Sequence, residues 1–196
     1  MKVEIVPVWK NISPELADEL MAFWRSNKAI ADDSAAATRA TQGVCVARDE
    51  TGAICGVGTA VVKVLPRLRQ PMYYYRQFFA KSMRGRSKLI PFYQQARQEL
   101  QAYNASLDQP ESLGVLIESE NAKLSSAYPH AHEPAFAATF IGYAPRGNPL
   151  YVSYFDGAVL QTPTPLRGPI PATRTMNAGS AQPLASPNPR RSSGRS

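Results

Sequence analysis

The chain has 196 residues, 44% of them hydrophobic, and a formal net charge of +7. That length suits one globular domain of ordinary size plus an extension. Five Arg and no acidic residue or Lys fall between residues 161 and 196, so residues 1–160 carry only +2. Overall basicity is therefore no evidence for a nucleic-acid-binding fold.

The N-terminal run Met1-Lys2-Val3-Glu4-Ile5-Val6-Pro7-Val8-Trp9 is too short for a signal peptide and is broken by Glu4 and Pro7. No stretch approaches the apolar length of a membrane span. A cytoplasmic protein without a membrane partner is expected. Ser13 as N-cap, Pro14 in the first turn and Glu15 mark a helix start. Leu16, Leu20, Phe23 and Trp24 then recur at helical spacing up to about Asn27. An Ala-rich second helix is predicted over 33–40, capped by Asp33 or Ser34.

A hairpin follows, with strands over 43–48 and 53–65 and a turn at 49–52 in which Gly52 supplies the positive backbone angle. Gly56 and Gly58 in the returning strand imply a bulge or a close approach by another group. Cys45 and Cys55 nearly face each other across this hairpin and read as small buried apolar residues. Two cysteines supply no metal framework.

A basic loop over 66–71 leads to the strand Met72-Tyr73-Tyr74-Tyr75-Arg76-Gln77-Phe78-Phe79-Ala80. The basic turn Arg84-Gly85-Arg86-Ser87 comes next, and a helix begins near Lys88. Such a turn leaves backbone N–H groups aimed outward, with the positive end of a helix dipole behind them, which suits a phosphate or pyrophosphate. Phe92, Ala96, Leu100 and Tyr103 line one side of that helix. Pro91 is tolerable only in its first turn, which implies a long preceding turn. A buried strand is predicted over 113–118 and a short helix over 122–128, stopped by Pro129. Strands over 139–143 and 150–155 flank a turn at 145–148. From residue 161 onward Pro, Ser, Ala, Thr and Arg dominate, and a disordered tail is expected.

The expected architecture is a single α+β domain over 1–160, with a mixed, mostly antiparallel sheet flanked by helices, followed by a disordered basic tail over 161–196. His130, His132 and Glu133 invite a metal reading, but strand alternation turns Glu133 away from the two rings and no third ligand stands at identifiable spacing, so no metal is expected. Tyr73, Tyr74 and Tyr75 beside Arg76 resemble a base-stacking platform, although alternation sends at least one of them into the core. With Arg67, Arg69 and the Arg190-Arg191 pair of the tail, they supply a second functional reading: a non-catalytic, nucleic-acid-associated protein.

The order helix, helix, hairpin, strand, basic Gly turn, helix, strand, short helix, two strands resembles that of the GNAT family of acyl-CoA N-acyltransferases, over roughly residues 1–157. The family's cofactor motif, Gln/Arg-x-x-Gly-x-Gly/Ala, aligns with Ser82-Met83-Arg84-Gly85-Arg86-Ser87. Gly85 matches, while Ser82 and Ser87 depart from it. Asn121 and Tyr128 have the separation of the family's Asn and Tyr after the fifth strand, with Leu124 where a small residue is usual. Phe140-Ile141-Gly142-Tyr143 resembles the start of the closing strands.

The resemblance implies acetyl-CoA as co-substrate and a small-molecule amine or a protein amine as acceptor. Its pyrophosphate would lie on the amides around Arg84, Gly85, Arg86, Ser87 and Lys88, its pantetheine arm along Phe78, Phe79 and Ala80, with Asn121 nearby. Tyr128 would return a proton to the thiolate. Glu118 and Glu120 share a face at the strand end and are the candidate general bases, Glu118 being preferred because Glu120 lies nearer solvent. The departures at Ser82 and Ser87 keep a third reading open, a GNAT-like fold without activity.

Overall fold

The computed structural model describes residues 3–83 and 86–165. Its eight strands are β1 (Glu4–Pro7), β2 (Gly43–Arg48), β3 (Ile54–Leu65), β4 (Gln70–Phe79), β5 (Gly114–Glu118), β6 (His132–Glu133), β7 (Ala138–Tyr143) and β8 (Pro149–Tyr154). They form one sheet in the order β1-β2-β3-β4-β5-β8-β7-β6. Every pairing is antiparallel except β4 with β5. Four helices accompany the sheet: α1 (Pro14–Ser26), α2 (Asp33–Ala40), α3 (Arg86–Ser106) and α4 (Ala122–Ala127).

Local chemistry explains most boundaries. Ser13 caps α1, its Oγ accepting from the Leu16 N–H at 3.2 Å, and Asn27 closes it by donating Nδ2 to the Phe23 carbonyl at 2.9 Å. The cap of α2 is Asp32, one residue before the expected position, with Oδ1 accepting from the Ala35 N–H at 2.6 Å. In the β2–β3 turn, the Asp49 carboxylate accepts from the Thr51 N–H, the Thr51 hydroxyl and the Ala53 N–H, and Gly52 takes φ +84°. Glu19 grips Arg48 through two bonds of 2.6 and 2.8 Å, tying α1 to β2.

One element is added and two expectations are corrected. The N-terminal run forms an edge strand, β1, paired with β2 from Glu4↔Arg48 to Pro7↔Cys45. Cys45 and Cys55 do not oppose one another: Cys45 faces Gly58, and a register shift after Ala47 leaves Cys55 in a bulge. Both thiols are free and buried, and Cys55 donates to the Ala47 carbonyl at 3.3 Å. Pro91 sits in the second turn of α3, inside a helix that begins at Arg86, so its missing N–H costs the Ser87 carbonyl its helical donor.

The core lies on both faces of the sheet. On one, α3 lays Phe92, Tyr93, Ala96 and Leu100 against Tyr73, Tyr75 and Phe79 of β4. On the other, α1 and α2 bury Leu20, Phe23, Trp24, Ala36 and Ala40 against Val46 and Val57. Fully burying a side chain such as Leu20, which is 0% exposed, contributes roughly 1.5–3 kcal/mol. A third cluster, around Met72, Tyr74, Leu116 and Val152, shares this second face beyond the helices. All three consecutive tyrosines are thus buried, Tyr73 at 0%, Tyr74 at 6% and Tyr75 at 3% exposure, and they offer no stacking platform. Their rings need room on β3. A Cβ on Gly58 would meet the Tyr75 ring and one on Gly56 the Phe79 ring, the close approach that those glycines implied.

Residues 161–165 continue the described body. Gln161 and Gln70 exchange two hydrogen bonds, of 2.8 and 3.0 Å, and Thr164 bonds Arg69. Of the tail expected over 161–196, the remainder, 166–196, lies outside the described residues. Among the described residues no helix is long and apolar enough to cross a membrane, and no group of three His, Cys, Asp or Glu side chains is placed to hold a metal ion.

Candidate active site

The two parallel strands at the centre of the sheet pair only briefly, at Tyr73↔Val115, Tyr74↔Leu116 and Tyr75↔Ile117. β4 then continues along β3 to Phe79. Alternation decides which way its peptide groups face. Ala80 donates its N–H to Cys55 on the β3 side, whereas Pro71 accepts from Leu113 on the β5 side. The β3–β4 register is unbroken between them, so the odd-numbered peptide groups face β5. Gln77 and Phe79 therefore turn their N–H and C=O groups toward the gap that opens beyond Tyr75.

A cavity of about 270 Å³ adjoins this gap, on the α3 side of the sheet. Its lining includes Tyr75, Gln77 and Tyr93 on one flank and Glu118, Glu120, Asn121 and Tyr128 on the other. Asn121 is the N-cap of α4, its Oδ1 accepting from the Lys123 and Leu124 N–H groups at 3.0 and 3.3 Å. Tyr128 ends α4 with its ring edge-on to Phe136, centroids 4.8 Å apart. Glu133 also lines the cavity; it is buried and accepts from the His130 N–H at 2.7 Å, while exposed His132 faces Thr139.

Glu118 accepts from the Tyr74 hydroxyl at 2.7 Å and from Asn148 Nδ2 at 2.8 Å. Burial opposes its ionisation, but those bonds, with the Arg76 and Arg146 charges, outweigh it and hold the carboxyl below its ordinary pKa. Arg76 donates to the Tyr74 hydroxyl at 2.9 Å and lies 3.8 Å from Glu120. Its guanidinium and the Lys63 ammonium both approach the Tyr74 ring, at 4.6 and 4.0 Å. A second, smaller cavity of about 150 Å³ lies on the α1/α2 side, walled by Trp24, Ala29 and Ile30 and reached by Arg39. Arg76, Gln77 and Glu120 line both cavities. The two cavities thus adjoin the same stretch of β4, where it parts from β5.

The sequence-predicted residues distribute unevenly over this site. Glu118, Asn121 and Tyr128 line the larger cavity. The Phe78 ring packs on Phe23 and the Phe79 ring on Phe92, so both side chains belong to the core. Ala80 spends its N–H on Cys55 and its carbonyl on Met83. Arg84 and Gly85 lie outside the described residues; Arg86 and Ser87 open α3, with Lys88 following. Sequence reading missed Gln77, Arg39 and Phe136. Only Gln77 had a local signal, as the polar break in an otherwise aromatic strand.

No protein-family model matches the chain, and no curated protein does. Solved structures do. A GNAT superfamily phosphinothricin acetyltransferase from Sinorhizobium meliloti, in complex with AcCoA, aligns with a TM-score of 0.56 at 16% identity, over 88% of this chain and 98% of that one. Acetyltransferases of the GNAT family from Streptococcus pneumoniae and Listeria monocytogenes align at 12% and 14% identity, with TM-scores of 0.46 and 0.45. They cover 77% and 78% of this chain, and 96% and 95% of their own. The chain has the GNAT acetyltransferase fold.

Proposed function

We propose that the protein is an acyl-CoA-dependent N-acyltransferase, with acetyl-CoA as co-substrate. The observation that carries this reading is the parting of β4 from β5, which turns the Gln77 N–H toward a gap beside a cavity lined by Tyr128 and the carboxylates of Glu118, Glu120 and Glu133. The Sinorhizobium structure, of the same fold, contains AcCoA.

In the reaction a neutral amine attacks the thioester carbon. A C–N bond forms, the oxyanion is held by an N–H donor, and the C–S bond then breaks. The amine's proton goes to a carboxylate, and the thiolate takes one from Tyr128. Glu118 already accepts two bonds and has a lowered pKa. Among the described residues the Glu120 carboxylate accepts no hydrogen bond and faces only the charges of Arg76, at 3.8 Å, and Arg39, so Glu120 is taken as the proton acceptor and Glu118 as the anchor for Tyr74.

The test pairs two substitutions at one position. Gln77→Pro deletes the gap-facing N–H, which β3 does not use, whereas Gln77→Ala keeps it. Steady-state acetyl transfer should fall about 10²–10³-fold in the first, with circular dichroism verifying the fold, and change little in the second. Gly85→Trp should abolish acetyl-CoA binding by calorimetry if the basic turn holds the pyrophosphate. Binding without transfer over a broad amine panel would leave a GNAT fold without activity. Salt-dependent binding of an oligonucleotide alone would favour the nucleic-acid reading.

A further inference from the structure

We infer that the acceptor is a small amine carrying its own carboxylate, which Arg39 and Arg76 bind in the smaller cavity. The inference rests on the acyltransferase reading and narrows it to a substrate class.

Positive charge is in excess there. Arg39 on α2 and Arg76 on β4 line this cavity and act on one another, and both act on Lys63 of β3, which lies outside the lining. Burial first, and the Arg76 charge next, lower the pKa of both Arg39 and Lys63. Two carboxylates oppose these three cations, and both Glu118 oxygens are taken by Tyr74 and Asn148. Among the described residues Arg39 has no ion pair within 4 Å, and the Glu120 carboxylate that acts on it is shared with Arg76. Arg76 Nε is buried without a hydrogen-bond partner, and its nearest acid is 3.8 Å away. Guanidinium forks left unmatched in a concave, partly desolvated place recognise a planar oxyanion.

The rest of the cavity fixes the kind of molecule. Trp24, Ala29 and Ile30 give it an apolar wall, and about 150 Å³ accommodates a compact aliphatic group, not a long chain. Glu120 lines both cavities. A carboxylate between the arginines therefore leaves the amine beside the proton acceptor. A polyamine or a protein Lys would instead bring further positive charge against Arg39, Lys63 and Arg76.

Calorimetry on the full chain, without acetyl-CoA, tests this directly. The probes are the aliphatic L-amino acids, their decarboxylated amines (isoamylamine for L-leucine) and spermidine. At least one amino acid should bind, its decarboxylated partner about 10- to 100-fold more weakly, and spermidine more weakly still. Arg39→Met should weaken the amino acid by a similar factor and Arg39→Lys by less, with circular dichroism checking the fold. Equal affinity for the amine lacking the carboxylate, preference for spermidine, no amino acid bound, or an unaltered affinity in Arg39→Met would each overturn the inference. A parallel titration with acetyl-CoA keeps the two readings apart. Amino acid binding without acetyl-CoA binding removes the transferase function but leaves the pocket, and the reverse removes the pocket alone.

Discussion

The two halves of β4 belong to one strand yet live under different rules. In its first half, Gln70 to Tyr75, it pairs with β3 throughout and with β5 from Tyr73 to Tyr75, and all three tyrosines are buried. From Arg76 to Phe79 it keeps only β3, and three of its four residues are half-buried. The first half holds the sheet together. The second half, freed on one edge, presents a peptide group and a guanidinium to two cavities. Stability and chemistry are separated along one strand by a single residue step.

The strongest way to break that comparison is a pair of truncations. Tyr73→Ala should cost about 3–5 kcal/mol by urea denaturation, because its ring fills the core and its hydroxyl donates to Glu111 at 2.7 Å. Arg76→Ala should cost less than about 1 kcal/mol, since Glu120 is exposed and the Tyr74 hydroxyl keeps its bond to Glu118. Similar losses at the two sites would erase the distinction. A smaller effect sharpens it on the opposite wall of the opening. Asn121→Ala removes the cap of a six-residue helix and should cost about 1 kcal/mol.

The smallest effect marks the point where the strands part. The pKa of Glu118 is lower in the folded chain than in the unfolded one. Its contribution is therefore complete above the ordinary carboxyl range and is lost as pH falls through the folded value. The stability gap between the wild type and Glu118→Gln should be widest near neutrality and should narrow below about pH 4.5. A gap that widens on acidification would contradict the assigned bonds from Tyr74 and Asn148.

What was legible in the sequence was local. The caps of α1, the Asp49–Gly52 turn and the 3.6-residue stripe of α3 are all written within a few residues, and their order along the chain pointed to the GNAT arrangement. Short edge strands were not legible: β1 has four residues, one of them Pro7, and β6 has two. The offset of Cys45 from Cys55 depends on a bulge that leaves no residue signature. Arg39 and Arg76 are brought together only by packing α2 onto the sheet, and no spacing rule connects them. The site was seen where it follows one segment, at Asn121 and Tyr128, and missed where it needs a second element.

The paired bonds between Gln70 and Gln161 have a practical consequence. A primary amide there imitates one rung of a ladder, so the polypeptide after the last strand doubles back and seals the start of β4. Anyone shortening this chain for crystallisation should cut beyond Pro165 and not at the compositional boundary near 160. A stop at the earlier point would strip the rung and leave the Gln70 amide to solvent at the foot of the strand on which the site is built.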